Sequence, residues 1–435
     1  MKVLKFGGTS VGSAQRMKDV AKLIMAERNI VVLSAMSGTT NSLVEISDYL
    51  YKKNPDGANE VINKLAHKYA EHIEEFYDSA EYKQKATELV TSIFDYIRSF
   101  TKDLFTLFEE KVVLAQGELI STGMFNLYLQ EQGVKSVLLP ALEYMRTDKN
   151  AEPDTAYIKE KLNVILGEHK GADIFITQGY ICRNAYGEID NLQRGGSDYS
   201  ASLIGAAIKA AEIQIWTDID GMHNNDPRIV DGTSPVRNLH FEEAAELAYF
   251  GAKILHPTCI LPAKINNIPV RLLNTLQPDA PGTKISNAIE TGKIKAVAAK
   301  DSITSIKIKS GRMLLATGFL RKVFEIFESH QTPIDMVTTS EVGVSVTIDN
   351  RKRLDEIVDD LKKYGTVTVD EDMVIVCVVG DLDWTNLGFE AKIVNALQDI
   401  PVRMISYGGS NYNVSILVKA SDKKKALQAL SSHLF

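Results

Sequence analysis

At 435 residues, with 45% hydrophobic and 24% charged side chains, the chain has an ordinary globular composition and room for two or three domains, since one core rarely grows past about 250–300 residues. A formal net charge of −7, from 49 basic and 56 acidic residues with no basic block, argues against nucleic acid or an anionic membrane as partner. The cysteines, Cys182, Cys259 and Cys377, lie far apart in apolar surroundings, so no disulfide framework or metal spacing emerges; with no long apolar run and no leader pattern, the expected address is the cytoplasm.

The chain opens MKVLKFGGTS. Val3, Leu4 and Phe6 form a short apolar run that ends in Gly7-Gly8, and Ala14 to Met25 has helical periodicity. A strand, glycine turn and helix in that order turn backbone N–H groups toward an anion beyond the strand, and Lys5 adds a full charge at the mouth. The spacing is neither that of a P-loop nor of a dinucleotide fold. A phosphate site and a plain tight turn both fit.

A second buried-type strand, IVVLSAM at 30–36, leads into SGTTN, which places Ser34, Thr39, Thr40 and Asn41 at a strand's C-terminal end. Ligands of open α/β sheets gather there, although such a cluster also suits a helix N-cap. Leu43 to Leu114 reads as several helices with a break at Asn54-Pro55-Asp56-Gly57, and its stripe Tyr69, His72, Ile73, Phe76 reads as core. Gln116-Gly117-Glu118 is expected to interrupt the pattern before another helix, with Glu118 near its start, where it favours the helix dipole or holds an amine.

Strands are expected at 136–139 and 173–180 around a helix at 156–167, and strand-helix alternation predicts a parallel α/β sheet over residues 1 to about 288. In LQRGGSDYSA, Gly195-Gly196 feeds another helix start, with Arg194 and Asp198 on either side, a pairing suited to holding an anion and orienting a cation. In WTDIDGMHNNDPR, Asp218 and Asp220 follow a strand and Asp226-Pro227-Arg228 a turn; paired carboxylates here suit a metal or a nucleotide edge, and equally a plain turn. Beyond Gly292, strands are expected at 294–299, 303–309, 334–339, 342–349, 365–370, 373–380, 402–407 and 413–419, with helices near 319–330, 351–363, 387–398 and 422–433. One β-α-β-β-α-β unit closes near 370. A second, starting at 373, lacks a strand that 294–299 would supply, so the first unit is inserted within it.

KFGGTSV, SAMSGTTN, GE at 117–118, TQGY, RGGSDYSA, WTDIDG, DPR and FGAKILHP occur in an order and spacing that resembles the aspartokinases of the amino-acid kinase superfamily. GFLRKVFEIF, PIDMVTTSEV and VRMISYGGSNYNVSILV resemble the paired ACT domains of the monofunctional, lysine-sensitive type. The resemblance covers almost the whole chain. It implies an amino-acid kinase domain at 1–288, with a parallel-rich open sheet and helices on both faces. Two ferredoxin-like βαββαβ ACT domains would follow, the first at 303–370 and the second at 294–299 plus 371–435.

The implied reaction is ATP-dependent phosphorylation of the side-chain carboxylate of L-aspartate, on the route to lysine, threonine and methionine. By the same resemblance Lys5 and Asp198 are catalytic, Arg194 clamps the α-carboxylate, Glu118 takes the α-ammonium, and Ser34, Thr40 and Ser197 complete the substrate pocket. ATP is implied to meet Lys5, Gly7, Gly8, Ser10, Thr217, Asp218, His223, Arg228 and Lys253, with His223 standing where the family often has tyrosine. Mg2+ is expected to arrive with ATP, and no protein metal ligand is assigned. A lysine or threonine effector would meet Met313, Gly318, Phe319, Leu320, Asp335, Val337, Thr339, Ser340 and Glu341, although Leu315 and Ala316 replace polar residues usual in the lysine-sensitive type. A homodimer through the ACT domains, which two such dimers would extend to a tetramer, is the implied assembly. The competing readings are a glutamate-type kinase, which lacks the 43–114 insert and tandem ACT region, and a non-catalytic ACT amino-acid sensor, which would have lost part of the Lys5, Glu118, Arg194, Asp198 set.

Overall fold

A computed structural model describes the whole chain except residues 26, 103, 193–194, 252–255 and 311–316. The chain forms two compact units, Met1–Met222 with Leu255–Asn287, and His223–Ile254 with Ala288–Phe435. Among the described residues no helix is long and apolar enough to cross a membrane.

In the first unit the strands run in the order Ser136–Leu139, Ile174–Gln178, Asn29–Leu33, Lys2–Phe6, Ile213–Thr217, Val270–Asn274, Thr283–Ser286. All pair in parallel except the last, which turns back antiparallel on Val270–Asn274. Lys2–Phe6 is central, with Phe6 opposite both Leu33 and Trp216, so three strands end at one level. Val3, Leu4 and Phe6 are buried, as expected of a parallel strand covered on both faces.

The insert is four helices: Thr39–Tyr51, Pro55–Phe76, Ala80–Ser99 and Leu107–Glu131. The expected break at 54–57 is a helix restart, with Pro55 in the first turn and the Asn54 side chain accepting from Gly57 N at 3.0 Å. The expected break at 116–118 is absent. Gly117 and Glu118 lie in the middle of a 25-residue helix, so Glu118 is far from the helix start and its dipole. Gly117 is needed for packing: a Cβ there would fall 2.9 Å from the Ala35 Cβ and 3.3 Å from Leu43 and Thr39 carbons.

The second unit holds a six-stranded antiparallel sheet in the order Val337–Ser340, Gly343–Ile348, Ile294–Lys309, Thr366–Gly380, Asn413–Lys419, Met404–Ser406. Here the expectation of separate strands at 294–299 and 303–309, and at 365–370 and 373–380, is corrected. Each pair is one long strand, and the joins are marked by register shifts and by Ser302 and Asp372 at φ of +62° and +54°. Ile294–Lys300 pairs with Ile375–Gly380, so the first stretch of the leading strand lies beside the last stretch of the other. Helices Phe319–Ser329 and Leu354–Lys362 cover one half of the sheet over a core around Ile306, Val323 and Val346. Phe389–Ala396 and Lys423–Leu434 cover the other, over Val376, Ile393 and Leu427. Helix Phe241–Tyr249 belongs to this unit: Asn413 donates to its Glu246, and its Tyr249 hydroxyl donates to Asp335 at 3.0 Å.

Replacing Gly117 by alanine gains about 1 kcal/mol of helix propensity but forces a contact whose relief costs about 1–3 kcal/mol. Gly117→Ala is expected to lower the thermal midpoint, and Ala35→Gly in the same chain to recover most of the loss, as read by calorimetry.

Candidate active site

The loops after the three aligned strands meet at one edge of the first unit's sheet. Ser34 N donates to the Phe6 carbonyl at 3.2 Å and Gly179 N to the Leu33 carbonyl at 2.9 Å, which ties the loop after each strand to its neighbour. Ser10 N closes a turn on the Gly7 carbonyl at 2.9 Å. A Cβ at Gly8 would fall 2.9 Å from the Ala35 carbonyl, so glycine lets the first two loops touch. Helix Gly196–Ile208 enters from the other side, capped by Gly195 at φ +77°, where a Cβ would overlap the Cys259 sulfur at 1.9 Å.

This arrangement brings together five of the predicted residues. Lys5 Nζ forms an ion pair with Asp198 Oδ1 at 2.7 Å, with side chains only 12% and 17% exposed. Ser34 Oγ donates to Ser197 Oγ at 2.9 Å. Gly179 makes that contact possible, because a Cβ there would lie 2.3 Å from the Ser197 side chain. Glu118 is buried, and its Oε1 accepts from Ala35 N at 3.3 Å while its Oε2 has no partner among the described residues. Burial pushes its carboxyl from 4.5 up to about 7, against the pull of the Ala35 N–H.

The remaining predicted residues are placed as follows. Gly7 borders Lys5, with its missing Cβ 3.4 Å from Nζ, and Thr40 is exposed in the first turn of Thr39–Tyr51. Ser10 and Thr217 are joined by a residue the sequence did not single out: Thr275 Oγ1 lies 3.2 Å from Ser10 Oγ and donates to the Thr217 carbonyl at 2.8 Å. Asp218 is exposed, whereas Asp220 Oδ1 accepts from Gly282 N at 3.1 Å, a contact 62 positions away in sequence and not a local turn bond. Among the described residues no three His, Cys, Asp or Glu side chains converge as a metal site.

In the second unit, His223 Nδ1 lies 2.9 Å from Thr233 Oγ1. Arg228 is held by Asp226, through Nε at 2.9 Å and Nη2 at 2.7 Å, on an exposed turn. Gly318, at φ +88°, caps the helix that starts at Phe319; Phe319 is buried and Leu320 is on the surface. Val337, Thr339 and Ser340 lie on an edge strand with exposed Glu341 in the turn that follows. Asp335 is already engaged: Lys300 Nζ meets its Oδ1 at 2.7 Å and Asp349 at 2.9 Å, beside the Tyr249 hydroxyl. Arg194, Lys253 and Met313 lie outside the described residues, as do Leu315 and Ala316.

Residues 1–274 match the amino acid kinase family and residues 376–434 an ACT domain. The lysine-sensitive aspartokinase 3 of Escherichia coli is 32% identical, with 100% of this chain and 99% of that protein aligned. This chain belongs to the aspartokinase family. Within it, the chloroplastic aspartokinase 3 of Arabidopsis thaliana is 35% identical over 100% of this chain and 81% of that one. The crystal structure of E. coli aspartokinase III with aspartate and ADP matches with a TM-score of 0.84 over 100% of both chains, and that with lysine and aspartate with 0.81 over 100% and 99%, both at 32% identity.

The raised carboxyl of Glu118 has a stability signature. Between pH 4.5 and about 7 the folded chain keeps a proton on Glu118 that the unfolded chain releases, so this group's contribution falls as pH rises through that window. Glu118→Gln, which cannot ionise, is expected to gain thermal stability relative to the parent between pH 5 and pH 8. A difference in midpoint that stays constant across that range would count against the raised value.

Proposed function

We propose that this aspartokinase-family chain transfers the γ-phosphoryl group of ATP to the side-chain carboxylate of L-aspartate, giving 4-phospho-L-aspartate and ADP, the first step toward lysine, threonine and methionine. The observation that carries the reading is the Lys5–Asp198 pair at the level where three parallel strands end. A carboxylate oxygen of aspartate forms the new O–P bond as the bond from the γ-phosphorus to the β,γ-bridging oxygen breaks and ADP leaves. The nucleophile is ionised at neutral pH, so no general base is required. The barrier lies in bringing two anions together, and an ammonium fixed in a water-poor site offsets it best when already oriented. Asp198 orients Lys5 for this task, and the Gly7 and Gly8 N–H groups are assigned to the phosphates.

In this reading Glu118 takes the α-ammonium, Arg194 the α-carboxylate, and Ser34, Thr40 and Ser197 supply hydroxyls. Ser10, Thr217, Asp218, His223, Arg228 and Lys253 are assigned to ATP. Mg2+ arrives with ATP, held by phosphate oxygens and water as a hard cation is, and lowers the charge of the phosphates. We assign residues 1–288 to the kinase domain, 303–370 to the first ACT domain and 294–299 plus 371–435 to the second. Lysine is the proposed inhibitor, with threonine second, at the Gly318 to Leu320 and Val337 to Glu341 segments. Of the two acids there, Glu341 is exposed, whereas Asp335 is already paired with Lys300, which it shares with Asp349. The two sheet edges, Val337–Ser340 and Met404–Ser406, leave backbone groups for a second copy, and a homodimer through the ACT region is proposed.

Hydroxamate trapping of the acyl phosphate tests the activity. Mg-ATP with L-aspartate is expected to give product, L-glutamate much less, and millimolar lysine to suppress it. Lys5→Ala is expected to lower kcat on the order of 100- to 1000-fold. Because only ionised Glu118 pairs with the ammonium, kcat/KM for aspartate is expected to fall as pH drops below about 7. Wild-type turnover in Lys5→Ala would remove the catalytic assignment.

A further inference from the structure

Loop 34–38 links the strand Asn29–Leu33 to the helix Thr39–Tyr51; Ser34 opens it and Thr40 lies in the first turn of the helix it leads into. Two of its supports have been described, the glycine turn at Gly8 and the Ala35 N–H on Glu118. A third comes from the insert. Lys68 Nζ donates to the Ser37 carbonyl at 2.8 Å, and the Tyr69 hydroxyl lies 2.9 Å from Thr39 Oγ1, with Tyr69 and Thr39 both fully buried. The residue between the two gripped positions is Gly38, at φ +83°, which starts the helix without a side-chain cap. A glycine has the widest backbone freedom of any residue, so the point between Ser34 and Thr40 best able to swing is fastened on both sides.

We propose that Tyr69 and Lys68 of helix Pro55–Phe76 are positioning residues for the amino-acid substrate. They fix the Gly38 hinge and thereby the spacing of Ser34 and Thr40. The inference rests on the reading of those two hydroxyls as substrate contacts. It accounts for how a pocket can separate acids that differ by one methylene, a discrimination worth roughly 10- to 200-fold and available only if the walls do not yield. A displacement of about 1 Å at such a site is enough to weaken it. Tyr69→Phe keeps the packed ring and leaves the Thr39 hydroxyl buried without its partner.

The test is steady-state hydroxamate kinetics on the full chain for wild type, Tyr69→Phe, Lys68→Met, Thr39→Val and the Tyr69→Phe/Thr39→Val double variant. Tyr69→Phe is expected to raise KM for aspartate about fivefold and to narrow aspartate-over-glutamate selectivity by a similar factor, while KM for ATP stays within twofold. Lys68→Met moves both in the same direction by less. The double variant is expected to match Tyr69→Phe alone, because both single changes break one bond. A purely structural role would instead lower kcat and thermal midpoint with KM for aspartate and selectivity unmoved, and that pattern, or additive effects in the double variant, overturns the proposal. The wild type separates this inference from the function it rests on. An active wild type with an unshifted Tyr69→Phe sinks the positioning role alone. A wild type that neither turns over aspartate nor is thermally stabilised by it removes both.

Discussion

The first unit depends on parallel pairing in register. With Phe6 opposite Leu33 and Trp216, three strands stop at the same level, and their continuing chains have nowhere to go but one edge. Everything chemical in this unit follows from that placement. Lys5 is one residue short of the strand end, so its ammonium emerges at the mouth while its backbone stays in the ladder. Asp198, more than 190 positions away in sequence, reaches it at 2.7 Å because helix Gly196–Ile208 starts at the same edge. Glycines at 8, 179 and 195 let the loops approach closer than any side chain would permit.

The site is also an electrostatic arrangement made by burial. A carboxylate deep in the unit, one oxygen on an amide and the other free among the described residues, is poorly solvated, and its affinity for a proton rises. The same poor solvation would make it a strong partner for an arriving ammonium. The proton affinity of Asp335 in the second unit is also raised by burial, but there the unit's own Lys300 pulls the other way.

Much of this was legible in the residues. Apolar runs such as IVVLS and DIFITQ locate the strands because a parallel strand is covered on both faces, and the glycine pairs mark the turns because few other residues fit there. What the sequence hid was contact at a distance. Gly117 reads as a helix break because glycine's penalty is local, whereas its reason is Ala35, more than 80 positions away. The aromatic stripe correctly placed Tyr69 in the core, yet periodicity gives a face and not the atom at the ring's tip, so the bond to Thr39 was invisible. The polar steps at Ser302 and Asp372 resembled strand ends, but a single residue in left-handed backbone shifts the register without ending the ladder.

Those two long strands make the second unit an internal exchange. Each of the strands Ile294–Lys309 and Thr366–Gly380 runs under both helix pairs: one half of the sheet is built from the continuous stretch 303–370, and the other is completed by Ile294–Lys300 from before it. The halves therefore share a single melting fate: opening at either sheet end must propagate through two common rods, and the pair behaves as one cooperative element, not as two modules in series.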